Sequence, residues 1–559
     1  MKKTTGNLSR SRFSGRFGSL GGFIRYCRDA VVRAFDNSFI SRVLVRMRET
    51  VPYIRNRVLG TFLLTFGIYS TLISVFKTVF EFGGSADNGF ITVSLAIASV
   101  PLLISRGTVY TMLSTSRTGR VIGECIGIRL QAMGGSVAIG RENMAFLLGM
   151  LAGTLTFVFD PAYIIGMAAA VVVAALILTY PEATVIFAAV LLPMGIDEAF
   201  TYLAVVGIVS FIIKLIRRKR YLRFPSHIKA AVLFIGVVAF LGAATGNVNN
   251  ALLALMCMMI AFSDRNGEKA KYASSVALSV CAVMTSVYLA FYAVAYLAGL
   301  KADLSVFDVE TLSVMSAALV PVSVSRMISG EIMPGRTSFL CFVSTVAFLA
   351  VTRSYMCLAA AAVGMALLLF AYRRKLAYFF MSIAGVAYAC WVWLGGSNRI
   401  AFDTFMGFLS EFNIDEKQGL SAVEIIYGEG LGRGVFSGDN FYDALISGVG
   451  LVGVAIFATA LILLAVYIVK QKNKAAEDKE YGFLSAFAHY CSLLVLLVCG
   501  AQISIWEQES MFVMFWMMLA SASAISLDEQ TKANVTLYYT DKDEDGSIGE
   551  IVISFAQDK

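Results

Sequence analysis

Residues 162–180 have the sequence AYIIGMAAAVVVAALILTY, a run of 19 residues without a charge. One α-helix of this length crosses the roughly 30 Å hydrocarbon core of a bilayer. The neighbouring segments 144–160 and 197–216 have the same apolar character. This part of the chain therefore predicts a series of membrane-spanning helices.

The rest of the chain repeats the pattern. Of its 559 residues, 58% are hydrophobic and 15% are charged, and the mean hydropathy is +0.74. Soluble domains have about 45–50% apolar and about 25% charged residues, so a chain of soluble domains is excluded. Further apolar segments of spanning length are 59–80, 90–106, 228–245, 247–263, 272–298, 308–329, 336–352, 354–372, 376–395, 441–469, 481–502 and 508–527. A shorter segment, 182–195, either crosses the membrane or re-enters it. We predict an all-α polytopic integral membrane protein with 14–16 transmembrane helices, sixteen if 182–195 is counted.

The charged residues predict the orientation. Residues 1–58 contain thirteen Lys and Arg against three acids, and residues 214–229 contain seven and no acid. Basic clusters beside apolar spans mark the cytoplasmic side, where they meet anionic lipid headgroups. Nucleic-acid binding would need a basic soluble domain, and the sequence has none. Alternating spans from a cytoplasmic start leaves the Arg-rich segment 106–141 inside and both termini in the cytoplasm.

The order of segments predicts five regions. Residues 1–58 form a basic cytoplasmic segment, which is either a helix lying on the inner leaflet or a solvated tail. Transmembrane helices occupy 59–395 and 441–527, and a Gly-rich, acidic loop at 396–440 lies outside. The polar tail 528–559 returns to the cytoplasm, and its alternating residues predict a small β-hairpin. The nine scattered cysteines include no CxxC pair and are interpreted as small apolar packing residues.

The external loop contains the densest group of glycines in the chain. Gly428, Gly430 and Gly432 alternate with other residues and precede Arg433. Alternating glycines let a backbone turn tightly and bring N–H groups close to an anion. Asp439 and Asn440 follow directly before the next span. The alternative interpretation is a flexible loop with ordinary turn glycines.

Two arginines are predicted at the same side of the membrane as this loop. Arg353 lies between the spans 336–352 and 354–372, and Arg399 begins the external loop. An arginine between two apolar spans is costly unless it reaches water, pairs with an acid or faces a polar cavity. A snorkelling arginine is one explanation, and phosphate binding by the forked guanidinium is the other.

Together these pieces resemble the O-antigen ligase family, which also contains O-antigen and capsule polymerases. Residues 180–520 carry the resemblance: Pro181-Glu182 at a helix start, the Val351-Thr352-Arg353-Ser354 step, and the glycine series that continues through Asn440, Tyr442, Gly450, Leu451 and Gly453. The resemblance implies a GT-C-like fold and transfer of a saccharide from undecaprenyl diphosphate at the outer face of a bacterial plasma membrane. It implies no cofactor and no metal.

One position departs from that family. Its catalytic histidine falls on Asp439 here, and the two histidines of the chain, His227 and His489, lie in a cytoplasmic loop and a span. Aspartate has an unperturbed pKa of about 3.9 and is ionised at neutral pH, which makes it a weak but available base. Glu429 and Asp443 are alternative bases, and loss of catalysis is the competing interpretation.

The predicted site follows from the resemblance. Arg353, Arg399 and Arg433 bind the diphosphate, Asp439 is the base, and Asn440 orients it or the acceptor. The partners are a lipid-linked oligosaccharide donor, a glycan or lipid-linked acceptor and anionic lipids, with no nucleic acid. A flippase for lipid-linked glycans and a catalytically inactive relative are the alternatives. A flippase needs polar residues along a path across the bilayer, and Lys77 is the clearest charge inside a predicted span.

Overall fold

The structure is a computed structural model. It describes residues 53–80, 86–115, 140–217, 222, 224–245, 248–262, 267–298, 309–330, 333–393, 426–428, 441–474, 480–500, 508–524, 535–537 and 553–555, with seven single positions between 30 and 50. Most of the predicted interfacial segment 1–58 and of the external loop 396–440 lies outside these residues.

The described chain is almost entirely helical, and each of the sixteen predicted spans corresponds to one helix. These helices are α1 Asn56–Val79, α2 Ala86–Ile104, α4 Glu142–Leu155, α5 Pro161–Thr179, α6 Ala183–Leu191, α7 Asp197–Ile216, α8 Ser226–Thr245, α9 Asn249–Met258, α10 Gly267–Leu297, α11 Val309–Ser329, α12 Gly335–Val351, α13 Tyr355–Tyr372, α14 Arg374–Trp393, α15 Phe441–Lys474, α16 Glu480–Cys499 and α17 Glu509–Ala524. A further short helix, α3, covers Val109–Thr115. Among the described residues, seven helices are long and apolar enough to cross a membrane, as expected for a polytopic membrane protein.

The chain divides into two compact units. The first contains residues 1–181 and 209–220, and the second contains residues 182–208 and 221–559. In the first unit, α1 packs closely on α2 and α4 because glycines face the neighbouring helix: a Cβ at Gly67 would lie 2.9 Å from the Thr92 carbonyl oxygen, and one at Gly149 would lie 2.7 Å from that of Phe62. Small residues at helix contacts are typical of membrane bundles, where close backbone approach replaces the hydrophobic driving force.

The second unit is built around α11 and α17. Residues 311–326 of α11 are all buried, and so are residues 510–524 of α17. Helices α10, α12, α13 and α16 pack around α11, and α9, α10 and α16 pack against α17. These two helices therefore form the core of the second unit.

Helix α6 is too short to span a bilayer. Its 9 residues continue into a three-residue 3₁₀ turn, Leu192–Met194, which ends at Gly195 with a φ of 63°. Twelve residues rise about 18 Å, against about 30 Å of hydrocarbon. Its first turn lies beside α7, where a Cβ at Gly207 would meet the Thr184 hydroxyl at 2.6 Å. Because this start is ten residues along α7 from Asp197, α6 begins inside the bundle and rises to the end at which α7 starts.

In each unit, the contacts between helix ends join ends that the predicted map assigns to the same side of the membrane. In the first unit, the backbone N–H of Asn56 donates to the Gly107 carbonyl oxygen at 2.9 Å, which joins the basic ends of α1 and α2. At the opposite end, the Lys77 ammonium donates to the Thr156 carbonyl oxygen at 3.0 Å. Lys77 therefore lies in the last turn of α1 and anchors a helix end, so it is not a charge in the middle of a span.

The same grouping appears in the second unit. The His227 and Tyr467 rings stack with centroids 3.8 Å apart, which joins the start of α8 to the second half of α15. At the other end of the unit, the Thr201 hydroxyl donates to the Asn249 side-chain oxygen at 2.8 Å, which joins the starts of α7 and α9. The predicted map assigns the first pair of ends to the cytoplasm and the second pair to the outside.

The predicted tail hairpin is confirmed in its pairing. Strand β1, Val535–Leu537, is antiparallel to β2, Ile553–Phe555, with Thr536 opposite Ser554. The turn between the two strands lies outside the described residues.

Candidate functional site

Arg353 ends α12 in an unusual backbone conformation. The Ser354 N–H donates to the Leu349 carbonyl oxygen at 3.1 Å, and the Arg353 N–H donates to the Ala350 carbonyl oxygen at 3.3 Å. This pair of bonds is a Schellman motif, which places the residue after the C-cap in the left-handed region and usually has glycine there. Arg353 occupies that position with a φ of 57°, and among the described residues it is the only one other than glycine with a positive φ.

The energetic cost of this backbone conformation indicates that the Arg353 side chain has a function. A non-glycine residue in the left-handed region is disfavoured by about 1 kcal/mol or more, and such residues concentrate at functional sites. The Arg353 side chain is exposed. The turn therefore presents a guanidinium at the end of α12, although glycine would fit the backbone better.

Hydroxyl groups hold this turn against α11. The Ser354 hydroxyl donates to the Ser313 hydroxyl at 3.0 Å, and it lies 3.1 Å from the Thr352 hydroxyl. The Thr352 hydroxyl also donates to the Phe348 carbonyl oxygen at 2.9 Å. These bonds fix the turn that carries Arg353 beside the first turn of α11.

Two glycines of this series, Gly428 and Gly450, lie at a break in α15. This helix is interrupted at Gly450, whose φ of 64° and ψ of 179° are not helical. Gly428, with a φ of 72°, packs directly on the break: a Cβ there would lie 2.5 Å from the Gly450 nitrogen and 2.6 Å from the Val449 carbonyl carbon. Gly428 and Gly450 are therefore required by a backbone-to-backbone contact. The helix begins at Phe441, as the predicted span 441–469 does, and Gly450 lies nine residues inside it.

The first residues of α15 are attached to the end of α16. The Phe441 N–H donates to the Gly500 carbonyl oxygen at 2.7 Å, and the Tyr442 hydroxyl donates to the Leu497 carbonyl oxygen at 2.9 Å. In the same turn of α16, the Cys499 thiol is hydrogen-bonded to the Cys357 thiol in the first turn of α13. The end of α16 thus connects the start of α15 with the helix that follows Arg353.

The remaining predicted site residues lie outside the described part of the chain. They are the candidate base and its neighbour, two of the arginines and two of the glycines: Asp439, Asn440, Arg399, Arg433, Gly430 and Gly432. Their assignment stays a prediction, as does that of the alternative base Glu429. Asp443 lies in the first turn of α15. Of the predicted site residues, the structure therefore describes Arg353, Gly428 and the alternative base Asp443.

Neither histidine belongs to this group. His489 is fully buried in α16 and lies within hydrogen-bonding distance of the Ser485 carbonyl oxygen, at 2.6 Å, and of the Ser274 hydroxyl, at 2.7 Å. His227 is stacked on Tyr467 at the opposite end of the second unit. Arg326, which is also fully buried, lies in the last turn of α11, seventeen residues from its start.

The sequence did not predict a cavity that opens at the end of α6. Its volume is about 450 Å³. The polar part of its wall consists of Asp197, Thr311, Gln508 and Ser510, which come from the starts of α7, α11 and α17. Leu192, Met194, Met284, Leu312 and Met315 make up most of the apolar part. No motif pointed to it, because its wall combines residues from segments more than 300 positions apart.

A group of polar side chains borders the cavity. Glu509, next to the lining residue Gln508, accepts hydrogen bonds from the Asn249 amide and, at 3.5 Å, from the Thr201 hydroxyl. The Thr311 hydroxyl donates to the Gln508 side-chain oxygen at 2.7 Å. These bonds tie α7, α9, α11 and α17 together at one end of the second unit.

Comparison of the chain with protein-family models, with curated proteins and with solved structures finds no match. The resemblance to the O-antigen ligase family therefore rests on the sequence motifs alone, and the site is argued from its own geometry.

Proposed function

We propose that this protein transfers or polymerises saccharide units from a lipid-diphosphate carrier. The proposal includes a GT-C-like membrane bundle with a long external catalytic loop. It also includes a bacterial plasma-membrane location with both termini in the cytoplasm. The observation that carries it is Arg353, an exposed arginine held in a left-handed Schellman position beside α11.

The attachment of α15 supports a role for the external loop at the same place. Asp439 precedes Phe441 by two residues, and two extended residues span at most about 7 Å. Phe441 is bound to the end of α16, whose Cys499 contacts Cys357 of α13. Cys357 lies in the first turn of α13, four residues after Arg353. Phe441, two residues after the candidate base in the sequence, and α13, which follows Arg353, therefore both contact the end of α16.

The chemistry follows from these groups. An acceptor hydroxyl attacks the anomeric carbon of the donor sugar, and its proton goes to the Asp439 carboxylate. The bond from that carbon to the diphosphate oxygen breaks, and the lipid diphosphate leaves with the bonding electron pair. Arg353, together with Arg399 and Arg433, stabilises the charge on the leaving diphosphate through paired N–H donors.

The decisive experiment separates the Arg353 charge from the Arg353 backbone. Arg353→Gly removes the guanidinium and fits the left-handed turn, so the folded protein is retained. We expect transfer from the host's lipid-linked saccharide in purified membranes to fall by about 10²–10³-fold, the usual effect of losing a group that stabilises transition-state charge. Arg353→Lys keeps a positive charge but loses the paired N–H donors of the guanidinium. Its transfer rate should therefore lie between those of wild type and Arg353→Gly.

The matched control is Arg336→Ala. Arg336 is exposed in the first turn of α12, at the opposite end of the same helix, and its loss should leave transfer unchanged. Wild-type transfer by Arg353→Gly would contradict the site. Deletion of the gene distinguishes the products: unpolymerised units indicate a polymerase, and full-length unattached chains indicate a ligase.

A flippase is the second candidate, because α11 carries buried polar residues along its length. They are Thr311, Ser313, Ser316, Ser323, Ser325 and Arg326. Such residues in a buried helix are a property of transport pathways as well as of helix packing. Accumulation of lipid-linked saccharide on the cytoplasmic side after deletion would favour this function over transfer.

A further inference from the structure

The cavity at the end of α6 has the shape of a binding site. Its floor consists of fully buried side chains, Leu192, Leu312 and Met315, whereas Met194 at its mouth is 48% exposed. Met315 lies one turn below Thr311 on α11, so the cavity extends about 6 Å into the bundle. Small-molecule sites have volumes of about 300–1,000 Å³, and this cavity falls within that range.

The turn at the end of α6 forms one side of the cavity. Helix α6 and its 3₁₀ turn end at Gly195, where the positive φ reverses the chain into α7. The cavity is bordered by this turn, by Met284 of α10 and by the first residues of α11 and α17. Leu192 of this turn therefore lies at the floor together with residues of α11, and the residues at the starts of α7, α11 and α17 line the walls.

The side chains that line the cavity indicate which class of ligand it can bind. Asp197 supplies a carboxylate acceptor, Thr311 and Ser510 supply hydroxyls, and Gln508 supplies an amide whose oxygen already accepts from Thr311. The other side of the cavity is lined by methionine and leucine side chains. A sugar ring presents hydroxyls at its edge and C–H groups on its face, and this combination matches both sides.

The charge of the described part of the wall disfavours an anionic ligand. Among the described residues that line the cavity there is no Lys or Arg, and the Glu509 carboxylate lies beside its rim. A diphosphate group would meet carboxylates here without a cation to balance it. A neutral saccharide has no such cost.

The cavity and the Arg353 turn flank the same turn of α11. Thr311 lines the cavity, and Ser313, two residues later, is bonded to Ser354 next to Arg353. Residues two apart on a helix point to opposite sides. The first turn of α11 thus separates a carboxylate-lined cavity from an exposed arginine.

We propose that this cavity binds the acceptor saccharide, while the diphosphate of the donor binds on the Arg353 side of α11. The assignment of this saccharide as the acceptor rests on the proposed function. Binding of a saccharide in the cavity does not.

The test uses the saccharide repeat released from the host's own surface polysaccharide by mild acid. Its binding to the purified full-length protein in nanodiscs is measured by calorimetry, with and without inorganic pyrophosphate. Asp197→Asn removes the charged acceptor, and we expect its dissociation constant to rise at least tenfold, the loss typical of a hydrogen bond to a charged group. Met284→Trp fills the cavity and should abolish binding. Glu198→Gln, an exposed neighbour outside the cavity wall, is the matched control and should bind normally.

The kinetic arm uses the same variants. Asp197→Asn should raise the KM for the acceptor about tenfold with kcat near the wild-type value, whereas Arg353→Gly should lower kcat. A melting midpoint within a few degrees of wild type establishes that each variant is folded.

The outcomes separate the two proposals. Unchanged saccharide binding by Asp197→Asn and Met284→Trp, or no binding by wild type, overturns the cavity assignment. Displacement of the saccharide by pyrophosphate overturns it as well. Binding that depends on Asp197 in a protein without transfer activity supports the cavity and overturns the proposed function.

Discussion

Helices α5 and α11 have similar lengths and opposite surroundings. Helix α5 is apolar from Pro161 to Leu178, and its residues 166–172 are exposed. Helix α11 carries five Ser or Thr and Arg326 within residues 311–326, and all sixteen of these residues are buried. In a soluble protein, burial would follow hydropathy. In a membrane protein, lipid can solvate an apolar helix face, and polar side chains are placed inside the protein.

The largest loss of stability is expected when a glycine that packs against α11 is enlarged. A Cβ at Gly364 of α13 would lie 3.1 Å from Pro321 of α11 and would also meet the Val495 side chain. We expect Gly364→Val to lower the free energy of unfolding by about 1–3 kcal/mol, because a well-packed contact must be pushed apart. Thermal unfolding in detergent, followed by size-exclusion chromatography, measures the loss.

Gly166→Val on α5 is the control for that variant. A Cβ at Gly166 meets no atom within 4 Å, so the change should stay within about 0.5 kcal/mol. Equal losses for the two variants would show that α5 is covered as tightly as α11.

Removing two methyl groups from a valine should have a smaller effect. Val320 of α11 is 2% exposed, and Val171 of α5 is 56% exposed. We expect Val320→Ala to cost about 1 kcal/mol through lost packing contacts. Val171→Ala should be nearly neutral because lipid fills the space. The same unfolding measurement compares the pair, and a larger loss at Val171 would reverse the assignment of the exposed face.

The smallest expected effect concerns one hydrogen bond between helices. The Ser313 hydroxyl donates to the Val309 carbonyl oxygen and accepts from Ser354, whereas the Ser382 hydroxyl of α14 bonds within its own helix to the Tyr378 carbonyl oxygen. Ser313→Ala should cost about 0.6 kcal/mol, the average for hydrogen bonds between membrane helices. Ser382→Ala should cost less. If the two losses are equal, the bond to Ser354 adds nothing to stability.

The local pattern of the sequence was enough to locate the helices. Each of the sixteen apolar runs corresponds to a helix, and among the described residues seven of these helices are long and apolar enough to cross a membrane. Hydropathy depends only on the local sequence, so the positions of the helices can be predicted without knowing which segments pack against each other. It could not give the 9-residue length of α6, because the turn at Leu192–Met194 is as apolar as the helix before it.

The candidate site was predictable only in part. Arg353 and the glycines were visible because a charge between two spans and a glycine series are unusual in any context. Their meaning required the fold: the Schellman bonds that hold Arg353 at positive φ, and the contact of Gly428 with Gly450, join residues through the backbone. The cavity left no sequence signal, because Asp197, Thr311 and Gln508 are ordinary residues at three separate helix starts.

The sequence by itself determined that this protein is rich in apolar helices and where those helices lie along the chain. Those properties follow from the solvation of each segment taken alone. The tertiary structure decided which helix is buried, where Arg353 is held and where a cavity opens, because each of these depends on atoms that distant segments bring together.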